Sequence, residues 1–221
     1  MTRRRTLPDS LVIACMADTH RLHRSVFQVP DADVLIHAGD ILHNGESRQT
    51  LIDFNLWLGE LPHALKVCVP GNHDAPLDED PSTRALLSNA TLLVDQGIEF
   101  RGLRIWGTPA TGLSGGAFSM WYPPDRRRLF SRIPSNTDVL ISHVPPHGTL
   151  DCAVGAAYHA GDPELRDALR RLNVLLHVFG HVHAGHGVEV TERTVYVNAT
   201  MLGESGGIEW EPIVVKMPRR R

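Results

Sequence analysis

Residues 11–20 read LVIACMADTH, a continuous apolar run that ends abruptly in polar side chains. Such a run fits an interior strand of a largely parallel sheet, delivering its last side chains to a loop at the carboxyl end. The arrangement recurs. Residues 31–40, DADVLIHAGD, give a short strand through His37 and then a glycine turn carrying Asp40. Residues 64–74, ALKVCVPGNHD, give a strand that stops at Pro70 and Gly71 and releases Asn72, His73 and Asp74. Two more units follow this plan, DVLISH over 138–143 and NVLLHVFGHVH over 173–183. Residues 48–61 have the mixed apolar rhythm of a crossover helix. Asp162, Pro163 and Glu164 open another helix, with Leu165, Ala168, Leu169 and Leu172 as its apolar face. Units of this kind are βαβ connections feeding one sheet.

The middle of the chain is different. Residues 92–94, 98–100 and 103–106 are short, turn-separated and read as hairpin strands. Residues 108–124 form a glycine- and aromatic-rich loop, which either flanks a site or runs over the surface. Residues 194–198 and 211–216 add edge-type strands. No repeat, low-complexity tract or linker interrupts the pattern. The expectation is one domain over 1–221 with flexible arginine-rich ends at 1–8 and 218–221.

The chain has 221 residues and a formal charge of -3, and the distribution of that charge matters more than its size. Arg3, Arg4, Arg5, Arg219, Arg220 and Arg221 crowd the two ends, leaving 16 basic residues against 25 acidic ones in the body. That balance argues against a stable nucleic-acid partner. Three cysteines give no disulfide framework, and Cys15 and Cys68 lie in apolar strands where a small hydrophobe suffices. The arginines before residues 11–17 faintly resemble an export signal, but the apolar stretch is short and closes on Asp18 and His20. No run reaches the roughly 18 apolar residues of a membrane span, so no membrane partner is expected and the cytoplasm is the expected compartment.

Thirteen histidines stand out, and their positions say more than their number. Five strands end in side chains able to bind metal: Asp18 with His20, Asp40, Asn72 with His73, His143, and His181 with His183. Loops at the carboxyl ends of strands are where such sheets collect their sites. Alternate spacing lets Asp18 and His20 point into one pocket, and His181 and His183 likewise. Carboxylates, imidazoles and an amide oxygen suit manganese, iron, zinc or cobalt better than calcium.

These residues carry a resemblance. Asp18-Thr19-His20, Gly39-Asp40, Gly71-Asn72-His73-Asp74, Ser142-His143 and Gly180-His181-Val182-His183, in that order, resemble the signature of the calcineurin-like metallophosphoesterases across residues 11–198. Residues 142–151, 161–165 and 177–187 are similar to the subgroup of metallophosphoesterase domain-containing proteins. The resemblance implies an α/β fold, a four-layer αββα sandwich of two mixed sheets flanked by helices, with a dinuclear metal centre. It assigns one ion to Asp18, His20, His183 and shared Asp40, and the second to Asp40, Asn72, His143 and His181. It further implies two divalent or transition-metal ions, Mn2+ and/or Fe with Zn2+ as an option, and hydrolysis through a metal-bridging hydroxide. His73 is the implied catalyst at the phosphoryl or leaving-group oxygen, and Asp74 its orienting partner.

The function expected on this basis is a metal-dependent phosphodiesterase acting on small diesters such as cyclic nucleotides. A broad phosphomonoesterase and a non-catalytic interaction scaffold on the same fold are the alternatives. A monoester dianion would want extra cationic donors, and Arg21 and Arg24 are the nearby ones. His147, His186 and Trp121 are candidate substrate contacts. His37 and His177 fit structural burial or a bond behind a ligand, and Asn198 fits support of the metal loops. His23, His43, His63 and His159 read as solvated surface; Trp57, Trp106 and Trp210 read as packing. The sequence favours no oligomeric state.

Overall fold

Strand β1, Ser10–Met16, points its side chains alternately at two different cores. Leu11, Ile13 and Cys15 face one apolar layer, while Ala14 and Met16 face another. A strand buried on both faces needs no polar alternation, which is why its sequence is an unbroken apolar run. The computed structural model describes residues 10–43, 47–112, 115–152, 158–203 and 205–218.

Along the chain follow β2 (Val34–His37), α1 (Arg48–Glu60), β3 (Leu65–Cys68), α2 (Ala75–Glu79), β4 (Thr91–Leu92), β5 (Gln96–Phe100), β6 (Leu103–Thr108), α3 (Pro123–Phe130), β7 (Val139–Ser142), α4 (Pro163–Leu169), β8 (Leu176–Phe179), β9 (Gly187–Val190), β10 (Val195–Asn198) and β11 (Ile213–Pro218). They form two mixed sheets, ordered β11-β1-β2-β3-β4 and β5-β6-β7-β8-β10-β9. In the first, β1 to β4 are parallel and β11 is antiparallel. In the second, β6, β7, β8 and β10 are parallel, with β5 and β9 antiparallel at the edges.

Four layers result. Ile13, Cys15, Ile36 and Val67 of the first sheet meet Ile105, Ile141, Val178 and Val197 of the second in the central core. On the outer face of the first sheet, Leu51, Phe54, Trp57 and Leu58 of α1 cover Ala14, Met16 and Leu35. On the outer face of the second, Phe130 at the end of α3 and Leu165 of α4 pack with Leu140. This is the αββα sandwich expected, and Cys15 and Cys68 are buried in it. A bridge between Ala17 and Thr200, with Met201 N–H donating to the Ala17 carbonyl, draws the sheets together just past β1 and β10.

Several local expectations change. Residues 92–94 do not belong to the hairpin: Thr91–Leu92 adds to β3 in the first sheet, and the chain crosses to the other sheet before Gln96. The true hairpin, β5 with β6, turns through Arg101 and Gly102, both at positive φ as a tight turn demands. Helix α3 was not legible, since it is Pro-Pro-Asp-Arg-Arg-Arg-Leu-Phe with Arg126 and Phe130 as its buried residues. Arg126 is held by an ion pair with Asp162, 2.8 Å, the residue whose carboxylate also caps α4. Pro218, expected in the flexible end 218–221, is instead the last residue of β11; residues 1–8 and 219–221, the rest of the expected flexible ends, lie outside the described residues. No helix among the described residues is long and apolar enough to cross a membrane.

Candidate metal centre

The loops after β1, β2 and β8 carry their key residues in left-handed backbone: Asp18 (φ 52°), His20 (φ 40°), Asp40 (φ 55°) and His181 (φ 68°). Residues other than glycine seldom adopt that region, and such strain gathers where side chains must be aimed. The loops are laced together. Asp18 N–H donates to the Gly39 carbonyl, His20 N–H to the Asp40 carbonyl and Gly180 N–H to the His143 carbonyl. His181 N–H donates to the Asp18 carboxylate at 2.9–3.1 Å, joining the two sheets' loops directly.

Two groups of metal-capable side chains unite the sheets, Asp18 with His20 and His183, and Asp40 with His143 and His181; His20 also groups with His43 and His73, all three from the loops of the first sheet. In each, the donor atoms lie within 4.8 Å of one another. Asn72 Oδ1 lies 2.9 Å from His143 Nε2 and 3.0 Å from His181 Nδ1, so it belongs with the second group. Asp40 Oδ2 lies 3.6 Å from His20 Nε2 and 3.4 Å from His143 Nε2, so one carboxylate oxygen faces both groups.

The donor set fits two metal ions on its own geometry. Separations of 3.4–3.6 Å are long for hydrogen bonds, yet they match the roughly 3.4 Å between two ligands on one ion. His20 Nε2 is buried with no hydrogen-bond partner, an arrangement that costs free energy unless something else is meant to meet it. The opposite ring nitrogens are anchored: His20 Nδ1 donates to the Leu42 carbonyl and His143 Nδ1 to the Ala38 carbonyl, both at 3.0 Å. Those bonds hold each ring with Nε2 turned toward the centre, the orientation in which a neutral imidazole would offer that nitrogen to a metal ion.

Electrostatics point the same way. Burial, reinforced by the negative charge of Asp40, pushes the Asp18 carboxyl up to about 7. Burial also works against ionised Asp40, but His143, His20 and His73 outweigh it and hold that carboxyl below its usual range. Desolvation would lower His143, yet Asp40 and Asp18 raise it to about 9. Burial lowers His20 to about 4 and His181 to about 3. Clustered carboxylates of this kind gain by meeting a cation, which relieves the repulsion between Asp18 and Asp40 and takes the place of the His143 proton.

Behind the two groups sits a supporting layer. His37, at the end of β2, meets Thr19 Oγ1 at 3.0 Å, and His177, in β8, meets Ser142 Oγ at 2.8 Å. Both strand histidines therefore steady the residue beside an expected ligand, as anticipated. Asn198 Nδ2 donates to the carbonyls of Val182 and Leu150, bracing the loop between His181 and His183. Gly180 permits a close approach to Asp18. A Cβ there would stand 2.2 Å from Asp18 Oδ2 and 2.6 Å from the Ala17 Cβ. Gly180→Ala is expected to displace Asp18 and weaken metal binding about 10–100-fold while the fold persists. A metal titration alongside a thermal melt checks this.

His177 also makes stability pH-dependent. Burial lowers it to about 3, whereas in the unfolded chain it titrates near 6.5. The unfolded state then binds more protons between those values, so stability falls as pH drops below about 6.5. His177→Gln keeps a donor toward Ser142 but cannot titrate. Between pH 7 and 5 the parent should lose about 2 kcal/mol relative to this variant, read from denaturant unfolding at the two pH values.

Asp74 requires a correction. It does not contact the His73 ring: its carboxylate is buried and accepts backbone N–H groups from Gly71 (2.7 Å), Leu42 (2.8 Å) and Ile41 (3.3 Å). It ties the Asp40 loop to the Asn72 loop. His73 has its N–H on Asp40 Oδ1 at 2.9 Å, its Nε2 3.9 Å from Asp40 Oδ2 and its Nδ1 without a hydrogen-bond partner.

His43, expected on the solvated surface, is exposed but lies in this centre. It stacks on His73 with ring centroids 5.5 Å apart and planes 5° apart, and its Nδ1 is 3.4 Å from His20 Nδ1. It follows Asp40 by three residues, the only cue in the sequence. His23 and His63 are buried instead, bonded to Asp53 and to the Pro30 carbonyl respectively. Among the expected substrate contacts, His186 donates Nδ1–H to the Thr200 carbonyl and stacks on Trp210, so its ring is largely committed. His147 lies beside His159 and Arg166. Trp121 is 60% exposed. Its loop supports Asn72, through Ala117 N–H on the Asn72 carbonyl.

A cleft of about 590 Å³ opens beside the second group, lined by Tyr158, Ala160, His181, His183 and Leu202 among others. Arg24, expected as a cationic donor, is engaged by Asp53 and Glu60.

Two adjoining groups of imidazoles and carboxylates at the carboxyl ends of an αββα sandwich define a metal-dependent phosphoesterase. The chain belongs to the calcineurin-like phosphoesterase family, whose pattern matches residues 11–185. It is 34% identical over 240 residues to metallophosphoesterase domain-containing protein 1 of Homo sapiens, covering 97% of this chain and 73% of that one. A UPF0046 protein of Caenorhabditis elegans is 33% identical over 225 residues, covering 95% and 76% respectively. One solved structure superposes with a TM-score of 0.69 at 20% identity, over 87% of this chain and 90% of that chain, a likeness of fold.

Proposed function

We propose that the chain hydrolyses small phosphodiesters, cyclic nucleotides among them, with Asp18, His20, Asp40 and His183 holding one divalent ion and Asp40, Asn72, His143 and His181 the other. The observation that carries this is the position of Asp40 Oδ2 between His20 Nε2 and His143 Nε2, one oxygen serving two groups. Bound divalent ions of this kind supply Lewis-acid charge and activate water at neutral pH, and the nitrogen and oxygen donors suit manganese, iron or zinc.

The chain's own residues do the rest. His73 is oriented by its backbone bond to Asp40, with an imidazole partly open to solvent that reaches a phosphoryl or leaving-group oxygen and passes it a proton. His43, stacked on it, limits its rotation. Asp74 keeps the loops of Asp40 and Asn72 in register. The cleft beside His181 and His183 takes the organic part of the substrate, with exposed Tyr158 as a stacking surface.

Diesters are favoured over monoesters because Arg24, an expected cationic donor, is engaged by Asp53 and Glu60. A monoester dianion gains most from permanent cations. The test is a manganese-supplemented comparison of aryl monoester, aryl diester and cyclic nucleotide. Faster diester turnover supports the proposal, and a substantial monoester preference overturns the substrate class.

A further inference from the structure

Away from the reaction centre, a separate set of donors converges on the loop between β7 and α4. His159 Nδ1 lies 2.7 Å from Asp151 Oδ1 and 3.0 Å from Cys152 Sγ, and Sγ lies 3.9 Å from the same carboxylate oxygen. The three donor atoms lie within 4.8 Å of one another. Asp151 is buried and preset. Its Oδ2 accepts N–H from Gly148 and Gly161, both at 2.9 Å, which leaves Oδ1 turned to the histidine and the thiol.

We propose that Asp151, Cys152 and His159 form a separate binding site for a thiophilic divalent cation of the zinc class. Donors on a tetrahedral zinc ion stand roughly 3.3–3.6 Å apart, so the observed triangle needs shifts under about 1 Å. Cys152 and His159 are not fully buried and can make them. A thiolate, an imidazole and a carboxylate form a mixed donor set that zinc accepts readily, and solvent or the adjacent His147 ring, 4.9 Å from His159, fills the fourth position. Binding releases the thiol proton to solvent, and the imidazole proton moves from Nδ1 to Nε2.

A nucleophilic thiol fits the geometry less well. Activation by a histidine oriented by a carboxylate uses the two ring nitrogens separately, whereas Cys152 and Asp151 here address the same Nδ1. The Asp151 charge and partial desolvation also raise the thiol above its ordinary value, which a bound cation would reverse. The site has a structural consequence. Its ligand His159 sits between Tyr158 and Ala160, which line the cleft that holds His181 and His183. A cation there would set one wall of that cleft without joining the chemistry.

The test exploits sulfur. The two reaction-centre groups contain only nitrogen and oxygen donors, and Cys15 and Cys68 are buried in strands. A near-ultraviolet thiolate-to-cobalt charge-transfer band in the cobalt-loaded whole protein can therefore arise only at Cys152. The band is expected in the parent and absent in Cys152→Ser. Elemental analysis after dialysis against zinc should show one ion fewer per chain in Cys152→Ser and in His159→Ala, with unchanged thermal melts in the metal-free state. No band in the parent, or equal zinc content in all three, overturns the proposal. Failure of the reaction-centre reading would instead appear as absent hydrolysis with the band intact.

Discussion

Replacing His73 by alanine is expected to lower turnover of a diester roughly 10²–10⁴-fold, about 3–5 kcal/mol of transition-state free energy, while leaving metal content unchanged. His73 is the one imidazole in the centre that follows an expected ligand directly yet is oriented through its backbone, by the 2.9 Å bond to Asp40 Oδ1. That bond survives the substitution, so Asp40 stays in place. What is lost is an imidazole with a free nitrogen at the edge of both groups. Steady-state kinetics with saturating manganese, paired with elemental analysis, reads the two quantities separately. Equal turnover in parent and variant would sink the assignment. His43→Ala should cost far less, since His43 acts by packing on His73.

Asp40→Asn should have a larger and different effect, loss of metal together with loss of activity. Partners that merely sit behind a ligand cost about 10–100-fold in metal affinity when removed, and Asp40 faces both groups directly. The amide keeps an oxygen for the His73 N–H, so the loop is retained, but it removes the negative charge that offsets His143, His20 and His73. Metal affinity should fall by more than about 100-fold, with turnover near background. A variant that bound two ions with parental affinity would show that Asp40 is not shared.

The parts of this architecture that were legible are those dictated by burial alone. Strands β1, β2, β3, β7 and β8 are interior and parallel, so their sequences stay largely apolar until the chain leaves the sheet, with Lys66 and His177 the polar side chains inside β3 and β8. The residues released there, Asp18, His20, Asp40, Asn72, His143, His181 and His183, come together because all these ends open on one side. What stayed hidden depends on partners far away in sequence. Helix α3 is mostly charged, and the charge of its buried guanidinium is met by Asp162, 36 residues on, while the Met120 and Trp121 carbonyls accept its remaining donors. His23 is buried because Asp53 meets it, and His63 because the Pro30 carbonyl does. Asp74 shows the limit of adjacency, since a residue next to His73 in the chain turns its carboxylate toward three backbone donors instead.

The division of ligands between the sheets has a further consequence. Asp18, His20, Asp40 and Asn72 come before β5, while His143, His181 and His183 come after it. Under the ligand assignment proposed above, neither the first half of the chain nor the second owns a complete set for either ion. Two fragments separated at the glycine-rich loop would each be chemically mute. Reassembled, they would regain a centre whose occupancy reports that the halves have met, making metal uptake a signal of assembly as well as a prelude to catalysis.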